Sequence, residues 1–254
     1  MNYEELVKRN FPLISRETQE KIRKLKVAIV GVGALSFVPA MLARLGGENF
    51  VLIDGDIIEA HNMNHQIYTV HHIGKPKVEA LKEIILSINP QANVIALSSF
   101  VTLENLEEIW EKYLSTARVI VDGIDPVTPL GGILISLELA RKAKENEIVF
   151  LYPLDIGHGA ILLTQLDELS LKGEEPLEIL LNLMQKAQQF INFPQDYEEI
   201  IMKTLKEEIH YPQTILSAIS ASILVTTCIL NLVQGKSLPK LLYLDLANLC
   251  FIHK

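Results

Sequence analysis

Short apolar runs alternate with longer amphipathic segments along the first half of the chain. The runs have six or seven residues, are rich in Val, Ile and Leu, and mostly end at a turn-forming residue, as buried strands do. They are KVAIVG (26–31), NFVLID (49–54), NVIALSS (93–99), RVIVDG (118–123) and EIVFLY (147–152).

The segments between these runs have apolar residues every three or four positions, which predicts helices. They are ALSFVPAMLARLG (34–46), KVEALKEIILSI (77–88), LENLEEIWEKYL (103–114) and GGILISLELARKAKEN (131–146). Alternation of strands and helices predicts an α/β fold, Rossmann-like and doubly wound, around a mostly parallel sheet.

The second half of the chain has a different pattern. Residues 166–210 are predominantly helical in pattern, residues 211–235 contain no charged side chain, and LLYLDLANLCFI (241–252) supplies one or two last strands. We therefore predict a single domain over 1–254. Its parts are an N-terminal helical element (1–25), a nucleotide-binding core (26–165), a helical insertion (166–210), and a buried helix with the last strands (211–254).

The uncharged segment 211–235 is long enough to cross a membrane. Against a membrane span, serine, threonine and asparagine interrupt it repeatedly, and neither aromatic belts nor a Lys/Arg cluster flank it. We favour a buried helix, either in the core or in a dimer interface, and expect no membrane association.

Composition and charge narrow the possible functions. The chain of 254 residues is 49% hydrophobic and has a net charge of −8, which argues against nucleic-acid binding as its main task. Its two cysteines, Cys228 and Cys250, form no CxxC pair, so a cysteine zinc site is not expected. A charged N-terminus without an apolar signal core predicts a cytoplasmic protein.

GVGALS (31–36) follows the first predicted strand and opens a helix. Gly31 and Gly33 allow the backbone to approach a phosphate there, although Ser36 replaces the third glycine of G-x-G-x-x-G. Asp54 ends the next strand, where an acidic residue can bind a ribose hydroxyl. A ligand-free turn and an NAD-dependent dehydrogenase both remain compatible with these residues alone.

Three further motifs are more specific. They are IDGDIIEAHNMNHQ (53–66), IGKPKVEALKEIILSINP (73–90) and VIVDGIDPVTP (119–129). Together with the glycine turn, this ordered set resembles the ThiF/MoeB/HesA family, adenylating enzymes related to ubiquitin-activating enzymes. The resemblance runs from about Arg9 to about Gln165, and a dehydrogenase would not explain Asn62, Gln66 or Lys77.

The resemblance implies roles for individual residues. Asn62, Gln66 and Lys77 match positions around the ATP phosphates, and Asp54, in the D-x-D pair with Asp56, matches the ribose-binding aspartate. Asp125 matches the aspartate near the magnesium ion and the reacting phosphate. The implied cofactors are ATP and Mg²⁺, with no zinc.

The resemblance also implies a homodimer and a reaction. Arg9, with Arg16 as the competing choice, matches an arginine that reaches into the partner subunit's active site. The substrate is a carboxylate, from a small acid or from a peptide or protein C-terminus, and it attacks the α-phosphate to give an acyl-adenylate. Because no cysteine lies where a thioester would form, the activity is expected to stop at adenylation or to pass the adenylate to another group or protein.

Several positions depart from the family pattern. His65 replaces an arginine, and histidine is mostly neutral near pH 7, although Lys75 is a candidate to compensate. Ser36 and Phe37 are larger than the family's residues at the turn, and Pro126 replaces an asparagine after Asp125. The alternative hypothesis is therefore a catalytically degenerate relative that serves as a binding or scaffold partner.

Overall fold

A computed structural model describes residues 2–126, 132–166, 178–179, 181–183, 185, 197–206, 208–209 and 211–253. In these residues, eight strands form one sheet in the order β3-β2-β1-β4-β5-β6-β7-β8. The strands are β1 (Lys26–Val30), β2 (Asn49–Ile53), β3 (Asn93–Leu97), β4 (Val119–Asp122), β5 (Val149–Ile156), β6 (Gly159–Leu163), β7 (Leu241–Asp245) and β8 (Cys250–His253).

The first five strands are parallel, and the last three continue the sheet in antiparallel pairs. Helices cover both faces of the sheet. They are α1 (Tyr3–Val7), α2 (Arg16–Lys24), α3 (Phe37–Arg44), α4 (Lys77–Ile88), α5 (Leu106–Ile109), α6 (Gly132–Glu145), α7 (Tyr197–Leu205) and α8 (Ile215–Val233). The predicted doubly wound, mostly parallel α/β fold is confirmed.

The molecule has three layers, with helices on either side of the sheet, because side chains along each central strand point alternately to the two faces. In β1, Val27 and Ile29 join a core formed with α3, α4 and α8, whereas Ala28 and Val30 join the core beneath α5 and α6. Successive strand residues point to opposite faces, so a strand buried on both sides is apolar at nearly every position. This is why these strands are continuous apolar runs in the sequence.

The long apolar helix α8 packs against β5, β6, β7 and α3. It has the length and apolar composition of a membrane span, with a mean hydropathy of 2.0, but 56% of that stretch is buried within the molecule. Ser217 and the apolar side chains of Leu224, Val225 and Cys228 are buried. The prediction of a buried C-terminal helix is confirmed.

Some boundaries differ from the predicted ones. The segment predicted as one helix at 103–114 begins at Leu106 and continues from Trp110 to Leu114 as a π-helical turn. β5 extends to Ile156 because it pairs with β6 in a hairpin. Two final strands form, in agreement with the predicted one or two. Most of the predicted insertion at 166–210 lies outside the described residues, so the division of the chain into parts stays a prediction.

Candidate nucleotide-binding site

A cavity of about 420 Å³ opens at the carboxyl ends of the parallel strands. The strand order reverses direction between β1 and β4, and in open α/β sheets ligands bind at such a switch point. The cavity is lined by most of the predicted residues: Gly31, Gly33, Asp54, Asp56, Asn62, His65, Gln66, Lys77 and Asp125. The fold thus brings together residues that are up to 94 positions apart, from Gly31 to Asp125.

The two glycines of the first turn meet different neighbours. Gly31 has φ +83°, and a Cβ there would lie 2.3 Å from the carbonyl oxygen of Gly123 at the end of β4. A Cβ on Gly33 would instead lie 3.4 Å from Gln66 Nε2 and 3.9 Å from Lys77 Nζ. Gly31 therefore allows two chain segments to cross, whereas Gly33 keeps space open beside the polar loop.

Asp54 is held by backbone N–H groups of the turns around it. Val32 N–H donates to Oδ2 and Asp56 N–H donates to Oδ1, each at 2.8 Å. Burial raises the pKa of Asp54 above its ordinary value, while the Lys77 charge and these two hydrogen bonds oppose the shift. The carboxylate therefore lies at a defined place beside the glycine turn, as a ribose-binding residue must.

Lys77 is a buried cation at the start of α4. Its side chain is 8% exposed, and Nζ donates to Asp56 Oδ2 at 2.7 Å. Asp56 is half exposed, so the pair is open to solvent on one side. Backbone N–H groups of a helix's first turn lack helical acceptors and favour anions. In α4, however, Lys77 N–H donates to the Asp56 carbonyl and Glu79 N–H donates to the Pro76 carbonyl, so the group that offers positive charge to an anion here is the Lys77 ammonium.

The polar loop between β2 and α4 is folded over the cavity, not extended into water. Asn62, His65 and Gln66 are 5%, 6% and 7% exposed. Asn62 Oδ1 accepts from Glu59 N–H at 2.9 Å and so closes the short helical turn Ala60–Asn64. These three polar side chains are therefore buried where they line the cavity, whereas His61, Asn64 and His71 of the same loop are exposed.

Hydrogen bonds determine the tautomer of His65. Asn64 Nδ2 donates to the Gln213 carbonyl at 2.9 Å, so Asn64 Oδ1 accepts from His65 Nδ1–H at 2.6 Å. His65 Nε2 then accepts from Gln66 Nε2 at 2.9 Å. Burial and the nearby Lys77 charge lower the pKa of His65 to about 4. His65 is thus a neutral acceptor where the related enzymes are expected to have a cationic donor.

Ser36 and Phe37 do not obstruct the cavity. Ser36 is fully buried, and its Oγ accepts from Ile67 N–H at 3.1 Å, which ties the glycine turn to the polar loop. Phe37 is the first residue of α3 and does not line the cavity. The enlarged turn is therefore compatible with an open site.

Asp125 lies in the turn that follows β4. Asp122 Oδ1 accepts from Ile124 N–H at 2.9 Å and shapes this turn, and burial raises the pKa of Asp122 to about 7. Asp125 and Pro126 both line the cavity. No group of three or more His, Cys, Asp or Glu able to hold a metal occurs in the described part of the chain. Magnesium, however, needs only one or two carboxylates together with phosphate oxygens, so Asp125 fits it.

Three predicted residues do not line this chain's own cavity. Lys75 pairs with Glu83 on α4, with its Nζ 2.8 Å from Oε2. Arg9 is exposed in the short turn Lys8–Asn10, and the Arg16 guanidinium lies 5.0 Å from the Phe11 ring centre. Lys75 is therefore not positioned here to replace the missing arginine charge.

The tertiary structure adds residues that pattern and motif did not indicate. Phe100, which follows β3, is half exposed at the cavity wall beside Gly55. Asp155, Tyr211 and Gln213 line the part of the cavity between the end of β5 and the start of α8, which we call the second lobe. No sequence motif marks Phe100, Tyr211 or Gln213, because their neighbours are distant in the chain. Asp155 begins the glycine-containing stretch DIGHGAILL (155–163), whose position alone suggests an approach to a substrate.

Residues 6–131, about half of the chain, match the model of the ThiF family. The chain is 35% identical over 121 residues to the tRNA threonylcarbamoyladenosine dehydratase of Bacillus subtilis, covering 47% of this chain and 46% of that protein. It is 34% identical over 116 residues to ubiquitin-like modifier-activating enzyme 5 of Aedes aegypti, covering 45% and 28%. The chain thus spans about half or less of these relatives' lengths.

Solved structures share the fold across nearly the whole chain. PaaA has a TM-score of 0.70 at 21% identity, covering 99% of this chain and 82% of its own. E. coli MccB with AMPCPP and MccA has a TM-score of 0.69 at 17% identity, covering 98% and 70%. E. coli tRNA N6-threonylcarbamoyladenosine dehydratase, TcdA, has a TM-score of 0.65 at 19% identity, covering 91% of this chain and 95% of its own.

The matched region contains the glycine turn, the D-x-D strand end, the polar loop with Lys77, and Asp125. These residues meet at one cavity at the switch point of the sheet. Through residues 6–131, the chain belongs to the ThiF family.

Proposed function

We propose that the protein is an ATP- and Mg²⁺-dependent adenylyltransferase that activates a carboxylate as an acyl-adenylate. The observation that carries the proposal is the buried Lys77 ammonium at the α4 N-terminus, beside Gly33 and Gln66 and within the same cavity as Asp54. A buried cation that is paired only with a half-exposed carboxylate can exchange that partner for an anion. A nucleotide triphosphate fits this arrangement.

Each of the residues at the cavity has a separate role in the proposed reaction. Asp54 binds the ribose, Phe100 lies beside the adenine, and Asn62, Gln66 and Lys77 orient the phosphates. A substrate carboxylate oxygen attacks the α-phosphorus, an acyl–phosphate bond forms, and the bond to the bridging oxygen breaks as pyrophosphate leaves. Asp125 would hold a magnesium ion, which would supply positive charge where negative charge develops. Lys77 adds a positive charge in a water-poor site, where it acts most strongly.

The acid is proposed to be a small molecule or a peptide or protein C-terminus. Support comes from the relatives' names, which include an enzyme that activates ubiquitin-like modifiers, and from a solved MccB structure that contains MccA. A homodimer in the cytoplasm completes the proposal. The free thiols of Cys228 and Cys250 are compatible with a reducing compartment.

ATP–pyrophosphate exchange over a panel of acids and peptides, together with calorimetric titration of ATP and magnesium, tests this function. Lys77→Ala and Asp54→Ala are expected to weaken ATP binding at least tenfold, since each removes a charge-assisted contact. Lys75→Ala is the matched control, because that lysine pairs with Glu83 away from the cavity, and it should bind ATP as the wild type does. Equal loss in both lysine variants would contradict the assignment of Lys77.

A catalytically degenerate partner protein is the second candidate, and neutral His65 favours it. Its Nε2 accepts a hydrogen bond from Gln66 and has no proton to offer a phosphate. If the wild type does not bind ATP, but His65→Arg does, the site has lost function through this position. If the wild type binds ATP and exchanges pyrophosphate, the degenerate hypothesis fails.

A further inference from the structure

The cavity extends beyond the nucleotide half into a second lobe at the end of β5. Its wall is apolar and includes Pro153, Ile156, Ile161 and Leu163. Asp155 is the acidic group of this lobe and projects from β5 where the strand pairs with β6, opposite Ala160. Because Asp155 lies within a hairpin of the central sheet, its position is set by the rigid scaffold.

Neighbouring side chains hold one oxygen of Asp155. Gln213 Nε2 donates to Oδ2 at 2.9 Å, and Ser217 Oγ lies 3.4 Å from the same atom. Tyr211 OH donates to the Asp155 backbone carbonyl at 2.8 Å, which fastens the start of α8 to β5. The Asp155 backbone N–H also donates to this carboxylate. Within the described part of the chain, both side-chain donors reach Oδ2, which leaves Oδ1 without a side-chain donor.

Asp155 also forms no ion pair with any residue that the structure describes. The ammonium that lines the cavity belongs to Lys77, and it pairs with Asp56. Burial and the charge of Asp125 raise the pKa of Asp155 to about 6, so the group is mostly ionised at pH 7. Among the residues that the structure describes, the Asp155 carboxylate has no cationic neighbour, and its ionised form is therefore unfavourable until a cation arrives.

We propose that this second lobe binds an alkylammonium group of the substrate, with Asp155 as its counter-ion. The inference rests on the proposed function and narrows its substrate class to acids that also carry a protonated amine. The apolar wall would contact the alkyl chain. Repulsion by Asp155 would keep the substrate's own carboxylate away from this lobe, and hence direct it toward Lys77 and the nucleotide.

Matched acid pairs test the proposal in ATP–pyrophosphate exchange. Lysine is compared with norleucine, and alanine with propionate, as free acids and, for the first pair, as the last residue of short peptides. The wild type should prefer the ammonium member of one pair by roughly tenfold, the value of a hydrogen bond to a charged group. The lysine pair reports a side-chain amine, and the alanine pair reports an α-amine.

Asp155→Asn keeps the shape of the side chain and should abolish the preference. Asp245→Asn is the control, since Asp245 also ends a strand and is bonded to Tyr243 and Asn248, but it does not line the cavity. No preference in the wild type, or a preference that survives Asp155→Asn, would overturn the proposal. If Asp155→Asn does not fold, Gln213→Ala, which removes the donor to Asp155 Oδ2, should change the preference, and an unchanged preference would overturn the proposal.

If the proposed adenylation is wrong, binding to the second lobe can still be tested separately. If no acid supports exchange, ligand-observed NMR with the same pairs measures binding directly. Asp155-dependent binding of the ammonium member without exchange would support the lobe and contradict the adenylation. Equal binding of both members of each pair, or binding of Mg²⁺ alone at Asp155, would overturn the lobe assignment.

Discussion

Gly31 and Gly33 lie two positions apart in one turn, but only one of them is required by the fold. Gly31 has positive φ and faces the Gly123 carbonyl, whereas Gly33 faces the side chains of Gln66 and Lys77. The sequence motif assigns both to phosphate binding. The structure separates a glycine needed for close packing of two strand ends from a glycine that leaves space for a ligand.

Alanine substitutions should separate these roles. Gly31→Ala is expected to destabilise the protein by about 3 kcal/mol or more, because the left-handed conformation and the overlap with Gly123 both penalise a Cβ. Gly33→Ala should leave unfolding nearly unchanged and weaken ATP binding. Urea denaturation and calorimetry measure the two effects. A Gly31→Ala protein as stable as the wild type would contradict this division.

His65 links stability to pH. Its pKa is about 4 in the folded protein and near the ordinary value of 6.5 when unfolded, so the unfolded chain binds more protons between these values. The contribution of His65 is complete above pH 6.5 and is lost as the pH falls toward 4, by up to about 3 kcal/mol. Chemical denaturation of the wild type and of His65→Asn across this range measures it.

Because Asp122 and Asp155 titrate in the opposite sense, the difference between the two proteins is the informative quantity. Both carboxyl groups have raised pKa values, so the folded state binds their protons more readily. The wild type's advantage over His65→Asn should grow as the pH rises from 4 to 6.5. A pH-independent difference would show that His65 does not titrate as proposed.

At the scale of elements, α8 contains two kinds of buried serine. Ser217 closes the capping box with Thr214 and also approaches Asp155. Ser220 and Ser222 are fully buried, and their hydroxyl groups have no hydrogen-bond partner within the described residues. The same polar residues that argue against a membrane span in the sequence therefore differ in their energetic effect on the fold.

Substitution of these serines by alanine should have opposite effects. Ser220→Ala and Ser222→Ala are each expected to stabilise the protein by about 1 kcal/mol, since each removes an unpaired buried hydroxyl and favours the helix. Ser217→Ala should destabilise it by about 1 kcal/mol, because it breaks the cap. Thermal unfolding of the three variants checks the signs. Destabilisation by all three would mean that the inner hydroxyl groups are satisfied.

At the scale of the whole molecule, the proposed homodimer explains why Arg9 is exposed and absent from its own cavity. In a twofold dimer, each subunit would lend its Arg9 to the partner's site. Homodimers of Arg9→Ala and homodimers of Lys77→Ala should then both be inactive, because every site lacks either the arginine or the lysine. Mixed dimers contain one site with both groups intact, so mixing the two variants should restore part of the exchange activity.

Two results would contradict the prediction that Arg9 acts in the partner subunit's site. Sedimentation measures whether dimers form and exchange subunits, and Arg16→Ala serves as the matched alternative to Arg9→Ala. If subunits exchange but activity does not return with either arginine variant, the arginine does not act across the dimer. If the protein sediments as a monomer under all conditions, the homodimer proposal fails.

Local physics allowed most of the framework to be predicted from the sequence. Strands buried on both faces must be apolar throughout, helices must present an apolar stripe, and a chain reversal at Gly31 needs a residue without a side chain. These constraints act over a few neighbouring residues. The parallel core and the buried helix α8 are therefore visible in the sequence pattern. The cluster of Asp54, Asn62, Gln66, Lys77 and Asp125 is expected from the resemblance to the ThiF family.

Other features depend on contacts between distant segments. The neutral tautomer of His65 depends on Asn64, which Gln213 holds from 149 positions away. Asp155 gains its hydrogen bond from Gln213 only where the β5–β6 hairpin meets the start of α8, and Lys75 pairs with Glu83 instead of entering the cavity. The sequence by itself determined the scaffold, because local patterns encode it, and it indicated the motif residues through their resemblance to a family. The tertiary structure alone decided the charge of His65 and the second lobe, since burial and partners arise only on folding.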